Sequence, residues 1–123
     1  MKKNRTIIVT GGTGRFGKIL QKQNFKHYIF PKKRELDITK IDSIKKYVLK
    51  TKPKAIIHLA GLSRPLALHD KYPIQSVKLN IIGTSNMVIV CKKYNIKLIY
   101  FSSNYVYPGK KGNYKESDPV LPS

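Results

Sequence analysis

The apolar residues of this chain fall into two alternating patterns. Short apolar runs, as expected of buried strands, occupy 7–9, 55–60 and 97–101. Residues 26–30 are a further short strand, closed by Pro31, and 36–38 is a candidate for another, very short one. Apolar residues at helical spacing lie between these runs, at 16–20, 41–48 and 77–91. The alternation predicts a partial, doubly wound parallel sheet of about five strands, with right-handed crossovers and helices on both faces.

Polar and turn-forming residues mark the boundaries of the predicted helices. Thr39 is a candidate N-cap for the second helix, and Pro53 ends it. The third helix begins at Pro73 and extends for about five turns. Polar residues 61–72 and the segment from 102 onward, which is rich in Pro, Gly and Asn, are predicted loops.

A glycine-rich turn connects the first strand directly to the first helix. Gly11, Gly14 and Gly17 follow residues 7–9 at a spacing of three. In a strand–turn–helix context such glycines make a tight turn, let a pyrophosphate approach the backbone and let the helix pack closely on the strand. The start of the helix also presents free N–H groups to a phosphate. The pattern therefore predicts a dinucleotide-binding, Rossmann-type domain.

The predicted strands all end at the same edge of the sheet. Their carboxyl ends, at 10–13, 30–33, 59–63 and 102–105, are expected to surround one crevice. Lys32, Lys33 and Arg34 follow the second strand, where NAD-binding domains carry an acid for the ribose hydroxyl. Three cations there suit a 2′-phosphate, so NADP is slightly favoured over NAD. The alternative is that these cations simply belong to a basic surface.

Composition narrows the class of protein. The 123 residues suffice for one domain, with 25 Lys and Arg against 6 Asp and Glu, a net charge of +19. The cations are spread without a basic tail or a recognition-helix pattern, so we expect no specific nucleic-acid partner. No apolar run approaches the ~20 residues of a membrane span. A single cysteine, Cys91, predicted to be a core residue, fits a reducing compartment, so we expect a soluble cytoplasmic protein.

Metal binding is not expected. His27, His58 and His69 have neither metal-ligand spacing nor cysteine or carboxylate companions in a motif, and His58 is predicted to be an ordinary strand residue.

Several segments together resemble one enzyme family. Residues 10–17 match the pattern TGxxGxxG, and the other matching segments are 58–61 (HLAG), 80–84 (NIIGT), 101–107 (FSSNYVY) and 114–119 (YKESDP). In this order they resemble extended short-chain dehydrogenases/reductases, the NAD-dependent epimerase/dehydratase superfamily. The resemblance is strongest to dTDP-4-dehydrorhamnose reductases, with nucleotide-sugar 4-epimerases a close second.

The resemblance implies a role for individual residues. By that match the cofactor-binding residues would be Gly11, Thr13, Gly14, Arg15, Phe16, Gly17, Lys32, Asp37, Ile38, Leu59, Ala60, Gly61 and Asn80. Ser103 would be the catalytic hydroxyl that hydrogen-bonds the substrate oxygen. The implied reaction is hydride transfer between the nicotinamide and a keto or hydroxyl carbon of a nucleotide sugar, in an enzyme that could form a homodimer. An epimerase or dehydratase, or a non-catalytic dinucleotide-binding protein, is the alternative.

The chain departs from the family at its catalytic base. The family uses a Tyr-x-x-x-Lys pair after the Ser103 segment, in which the lysine lowers the pKa of the tyrosine. Tyr114 is followed by Lys115 and has Asp118 four residues on, so it is not that pair. We therefore expect residues 1–123 to be the N-terminal dinucleotide-binding portion of such an enzyme, without the substrate-binding region and inactive on its own.

Overall fold

The computed structural model describes residues 5–121. Its strands are β1 (Ile7–Thr10), β2 (Tyr28–Ile29), β3 (Ala55–His58) and β4 (Lys97–Tyr100). Its α-helices are α1 (Arg15–Lys22), α2 (Ile41–Thr51), α3 (Ala67–Lys71), α4 (Pro73–Ser76) and α5 (Thr84–Lys93). A π-helical segment (Val77–Gly83) joins α4 to α5, and a single 3₁₀ turn (Asn104–Val106) follows β4.

The four described strands form one parallel sheet in the order β2-β1-β3-β4. Ile7 pairs with both Tyr28 and Ala55, and Ala55 pairs with Lys97. Strand order reverses between β1 and β3, which creates the crevice where such sheets bind ligands. Helices α2 and α5 contact each other on one face, and the right-handed crossover from β1 to β2 places α1 on the other. The predicted fold class is confirmed.

The predicted strand at 36–38 is wrong. Leu36 and Asp37 have no regular secondary structure and a turn begins at Ile38, although Leu36 and Ile38 are core residues, each 5% exposed. The Asp37 backbone N–H donates to Ser43 Oγ at 2.9 Å, and the Asp37 carboxylate accepts from the Thr39 N–H and hydroxyl. These local bonds replace the ladder that a strand needs. The described sheet therefore has four strands rather than about five.

One helix boundary and one predicted loop also differ from the prediction. The N-cap of α2 is Lys40, and it makes no side-chain capping bond, because the Thr39 hydroxyl donates to Asp37 instead. The segment 61–72, predicted to be a loop throughout, contains the short helix α3.

The core lies between the sheet and the α2–α5 layer. The central strands contribute Ile8 and Ile56, helix α2 contributes Ile44, and α5 contributes Met87 and Cys91. Cys91 is 3% exposed, which confirms its prediction as a core residue, and burial raises the pKa of its thiol to about 11.

One helical stretch, Pro73–Lys93, has the length and hydropathy of a membrane-spanning helix. Met87, Val90 and Cys91 on this stretch are buried among the other core residues. We therefore interpret it as a helix that packs on the sheet.

Candidate functional site

A cavity of about 590 Å³ lies at the carboxyl ends of β1, β2 and β3. It is lined by Thr10, Gly11, Gly12, Thr13, Gly14, Gln21, Phe30, Pro31, Lys32, Lys33, Leu36, Asp37, Ile38, Leu59, Ala60, Gly61 and Leu79. The cavity thus runs from the glycine turn to the basic segment after β2 on one side and to the end of β3 on the other.

Two of the three motif glycines are required by the chain itself. Gly11 has φ +71°, and a Cβ there would lie 2.7 Å from the backbone of both Leu59 and Ala60. A Cβ on Gly17 would clash with the carbonyl oxygen of Gly11 and lie 2.6 Å from Gly12 Cα. These contacts hold the turn against β3 and the start of α1 against the turn.

Gly14 differs from the other two glycines. It has an extended backbone (φ −72°, ψ 172°), and a Cβ there would meet only the Gly11 carbonyl oxygen, at 3.3 Å. Gly14 is the N-cap of α1 and provides no side-chain cap. The positive end of the helix is therefore open to an anion in the cavity.

The segment after β2 brings two lysines and the Asp37 carboxylate to the cavity wall. Lys32 and Lys33 line the cavity, and the Lys32 backbone N–H donates to the Glu35 carboxylate at 2.8 Å. Burial alone would raise the pKa of Asp37, but the hydrogen bonds from Thr39 and the charge of Lys33 outweigh it and lower that pKa. Glu35 is a carboxylate near the predicted 2′-phosphate position that sequence reasoning did not consider.

A buried polar network ties β1 to β3 beneath the cavity. The Leu59 and Ala60 N–H groups both donate to Thr10 Oγ1 at 3.1 Å, so the Thr10 hydroxyl proton is free to donate to His58 Nδ1 at 2.8 Å. The neutral imidazole then carries its proton on Nε2, which lies 3.3 Å from Thr84 Oγ1. Burial lowers the pKa of His58 to about 4, which keeps the ring neutral.

The segment Asn80–Thr84 anchors the long helical stretch to the floor of the cavity. The Asn80 amide accepts from the Leu62 N–H at 2.7 Å and donates to the Leu62 carbonyl at 2.8 Å. A Cβ on Gly83 would lie 2.7 Å from Ile38 Cδ1, so the helix approaches Ile38 closely. Together with the Thr84–His58 contact, these interactions fix the loop after β3 and the turn at Ile38.

The structure brings most of the predicted cofactor residues together. The cavity is lined by Gly11, Thr13, Gly14, Lys32, Asp37, Ile38, Leu59, Ala60 and Gly61. Arg15, Phe16, Gly17 and Asn80 are not among its lining residues. Gly17 and Asn80 act on the backbone that forms the cavity, and the Phe16 ring packs edge-on against Phe101 with centroids 5.1 Å apart.

Ser103 lies beyond the end of β4, outside this cavity. Its Oγ accepts from the Tyr105 N–H at 3.1 Å and so caps the 3₁₀ turn. The Tyr105 hydroxyl accepts from Arg64 at 3.1 Å, which joins the loops after β3 and β4.

One Tyr-x-x-x-Lys spacing does occur in this region, at Tyr107 and Lys111, contrary to the expectation from the sequence. Pro108, Gly109 and Lys110 lie between the two residues in an irregular segment, so Tyr107 and Lys111 do not share a helix face. The Tyr107 hydroxyl donates to the Lys115 carbonyl at 3.1 Å, and its ring stacks on Tyr114 with centroids 4.8 Å apart. Tyr107 is therefore engaged in holding this loop together.

Within residues 5–121, no three His, Cys, Asp or Glu side chains are grouped closely enough to bind a metal ion. The chemistry that the site offers is thus a glycine turn, a helix N-terminus, two lysines and a set of backbone amides.

The parallel sheet with its carboxyl-edge cavity defines a Rossmann-type domain. The chain belongs to the family described as the RmlD substrate binding domain, which matches residues 5–123.

Individual relatives indicate the range of the family. The chain is 30% identical over 113 residues to a GDP-L-fucose synthase of Dictyostelium discoideum, covering 86% of this chain and 35% of that protein. It is 27% identical to the bovine methionine adenosyltransferase 2 subunit beta, covering 94% of this chain and 37% of that subunit. The crystal structure of dTDP-4-dehydrorhamnose reductase from Bacillus anthracis in complex with NADP superposes with a TM-score of 0.84 and 29% identity, covering 96% of this chain and 44% of that one.

The chain therefore spans between about a third and a half of the length of these relatives. The family to which it belongs contains nucleotide-sugar reductases and synthases, one of which has been solved with NADP bound.

Proposed function

We propose that this chain is the NADP-binding portion of a nucleotide-sugar reductase. The observation that carries the proposal is the carboxyl-edge cavity, in which an open helix N-terminus at Gly14 and two lysines after β2 surround one elongated space. That arrangement suits the three phosphates of NADP, two in its pyrophosphate and one on the 2′ position of its ribose.

Each part of the cavity has a place in this proposal. The backbone of 11–14 lines the cavity, and we assign the pyrophosphate to it and to the backbone N–H groups in the first turn of α1, at Arg15 and Phe16. Lys32 and Lys33 face the 2′-phosphate, and Asp37 and Ile38 lie beside the adenine. Leu59, Ala60 and Gly61 line the nicotinamide end, where Asn80 fixes the loop through Leu62.

The proposed chemistry of the whole enzyme is hydride transfer between the nicotinamide and a sugar carbon. Ser103 orients the sugar oxygen by a hydrogen bond, which its hydroxyl proton can still donate while Oγ accepts from Tyr105. The proton is moved by a helical Tyr–Lys pair, which residues 5–121 do not contain. The substrate is a nucleotide sugar, and the protein is cytoplasmic.

Cofactor preference provides the sharpest test. Fluorescence titrations at physiological salt should show that the chain binds NADPH more tightly than NADH. Replacing Lys32, Lys33 and Arg34 by Ser should abolish that difference in affinity. The matched control changes Lys45, Lys46 and Lys50 of α2, which removes the same charge away from the cavity. Equal affinities for the two dinucleotides in the unmodified chain would contradict the NADP assignment.

Turnover tests the enzymatic part of the proposal. The 123-residue chain should bind NADPH yet fail to oxidise it with keto nucleotide-sugars, since general acid–base transfer by the tyrosine is worth ~10²–10⁴-fold. The comparison is a longer product of the same coding frame, assayed with the same sugars. Turnover by the 123-residue chain within ten-fold of the longer product would contradict the proposal that residues 1–123 bind the cofactor without catalysing the reduction.

A second candidate is a non-catalytic dinucleotide-binding subunit. The observation in its favour is the similarity to a subunit of methionine adenosyltransferase 2, over 94% of this chain. This alternative predicts dinucleotide binding without sugar reduction in the longer product as well.

A further inference from the structure

The acidic residues of this chain lie at one edge of the sheet. All six acidic residues lie in segments that follow a strand or in the first turn of a helix: Glu35, Asp37, Asp42, Asp70, Glu116 and Asp118. Such segments lie at the carboxyl edge of a parallel sheet, because each crossover starts there and returns to the amino edge. The amino edge therefore carries cations without any acid.

A row of exposed cations crosses this amino edge. Each strand is preceded by or begins with one: Lys26 before β2, Arg5 before β1, Lys54 before β3 and Lys97 in β4. The sheet order places them in that sequence, and neighbouring strands lie ~4.8 Å apart, so the row spans about 14 Å. The two ion pairs within residues 5–121, Lys45–Asp42 and Lys111–Asp118, involve none of them.

The C-terminal turns of three helices add positive charge at the amino edge. The last turns of α1, α2 and α5 carry the lysines Lys22, Lys50, Lys92 and Lys93. Cations at helix C-termini complement the helix dipole, which is a sufficient structural reason for these four. The cations at the strand starts are not at helix C-termini, so the helix dipole does not explain them.

A cavity of about 350 Å³ opens at one end of the row. Its lining combines cations and aromatic rings without a carboxylate: Arg5, Ile7, Phe25, Lys26, His27, Tyr28 and Lys54. The Phe25 and Tyr28 rings lie with centroids 4.8 Å apart, and Phe25 is 48% exposed. An exposed ring beside unpaired cations is the arrangement that binds a base together with its phosphates.

We propose that the amino edge of the sheet binds single-stranded nucleic acid without sequence preference. The phosphates lie along Lys26, Arg5, Lys54 and Lys97, and a base stacks on Phe25. This edge is opposite the carboxyl-edge cavity, so nucleic acid and a dinucleotide could be bound at the same time. The aromatic rings favour nucleic acid over polyanions that lack planar groups.

The test measures binding of a fluorescently labelled oligo(dT) 12-mer by anisotropy across a salt series. Four phosphate contacts predict that log K falls with log salt with a slope of about −3. Changing Arg5, Lys26, Lys54 and Lys97 to Gln should weaken binding at least ten-fold and flatten the slope. The control changes four exposed lysines elsewhere to Gln, namely Lys18, Lys46, Lys110 and Lys115, and should weaken binding less than three-fold.

Two further measurements make the result decisive. Phe25→Leu should weaken oligo(dT) binding several-fold while leaving heparin binding unchanged, and NADPH titration together with circular dichroism should show that the amino-edge variant is folded. Equal losses in the amino-edge and control variants would mean that binding follows net charge alone and would overturn the proposal. Unchanged oligo(dT) affinity in Phe25→Leu, or equal binding to heparin or to anionic lipid vesicles, would overturn the nucleic-acid assignment.

Discussion

The three motif glycines after β1 meet different surroundings, and this difference separates packing from binding. Gly11 and Gly17 face the backbone of their own chain so closely that a side chain would displace β3 or the turn. Gly14 has its free side toward the cavity, and its extended backbone is open to any residue. A substitution at Gly14 therefore tests the ligand, whereas one at Gly17 tests the fold.

Gly14→Val should weaken NADPH binding at least ten-fold while the chain stays folded. A valine side chain would fill the space at the start of α1 that the pyrophosphate needs. Its effect on the free energy of unfolding should stay within about 1 kcal/mol, as for other changes at an N-cap. Fluorescence titration beside urea unfolding measures both quantities. Unchanged affinity would contradict a pyrophosphate bound at the start of α1.

His58 makes stability depend on pH in a defined window. In the folded chain its pKa is about 4, against 6.5 for an ordinary histidine, because the ring is buried between Thr10 and Thr84. Above pH 6.5 both states hold a neutral ring and the histidine has no effect. Between pH 6.5 and 4 the unfolded chain alone takes up the proton, so stability falls as the pH falls.

The expected loss over that window is about 3 kcal/mol in the free energy of unfolding. The check is urea unfolding between pH 7.5 and 4, with His58→Asn as the comparison, since the amide oxygen can still accept from Thr10 but does not titrate. The variant should be less stable at neutral pH and lack this component of the pH dependence. The same slope in both proteins would exclude His58 as its source.

At the scale of elements, three small contacts fix the middle of the long helical stretch beside the cavity. The Asn80 amide hydrogen-bonds the Leu62 backbone, and the Thr84 hydroxyl contacts the His58 ring. The absence of a side chain at Gly83 lets the helix pack closely on Ile38. The π-helical segment contains Asn80 and Gly83, and such segments often occur at functional sites because they shift the side chains that follow them. The resemblance singled out Asn80 for cofactor binding, and the structure gives its amide a role in shaping the cavity.

Gly83→Ala should destabilise the chain, and Ile38→Val should partly relieve that effect. The added methyl group would lie 2.7 Å from Ile38 Cδ1, and Ile38 is only 5% exposed, so it has little room to move. After the ~1 kcal/mol that alanine gains in helix propensity, we expect a net loss of about 1–2 kcal/mol. A double-mutant cycle by urea unfolding should show favourable coupling of about 1 kcal/mol. Additive effects would mean that the helix shifts instead.

The elements that could be predicted from the sequence are those governed by local pattern. The apolar runs predicted β1, β3 and β4, and the spacing of Gly11, Gly14 and Gly17 predicted the strand–turn–helix that forms the cavity. Both signals are contained within a few neighbouring residues.

The errors have a different origin. Leu36 and Ile38 are apolar because they pack in the core, but local hydrogen bonds to Asp37 prevent a ladder. His58 was correctly placed in a strand, yet its network depends on Thr10 and Thr84, which are 48 and 26 residues away. Contacts at such separations depend on strand order, which periodicity does not contain.

At the scale of the molecule, the sheet has an open edge. The outer side of β4 has no partner strand within residues 5–121, and Ile99, Tyr100 and Phe101 are 37%, 57% and 49% exposed. An exposed apolar edge strand is a template for pairing with another chain. Net charge opposes this pairing, because at +19 two copies repel each other.

The 123-residue chain should therefore self-associate more strongly as salt increases. Raising the salt from ~0.05 to ~0.5 M shortens the screening length from above 10 Å to a few ångströms, which weakens the repulsion but leaves the apolar attraction in place. Nucleic-acid binding should show the opposite dependence on salt, so the two kinds of association are distinguishable. Sedimentation velocity on Ile99→Lys should show less association at high salt, because a charge would have to be buried in the paired edge. Leu49→Lys, at an exposed leucine of α2, is the matched control and should associate like the unmodified chain. Equal suppression of association by both variants would show that the contact does not lie at β4.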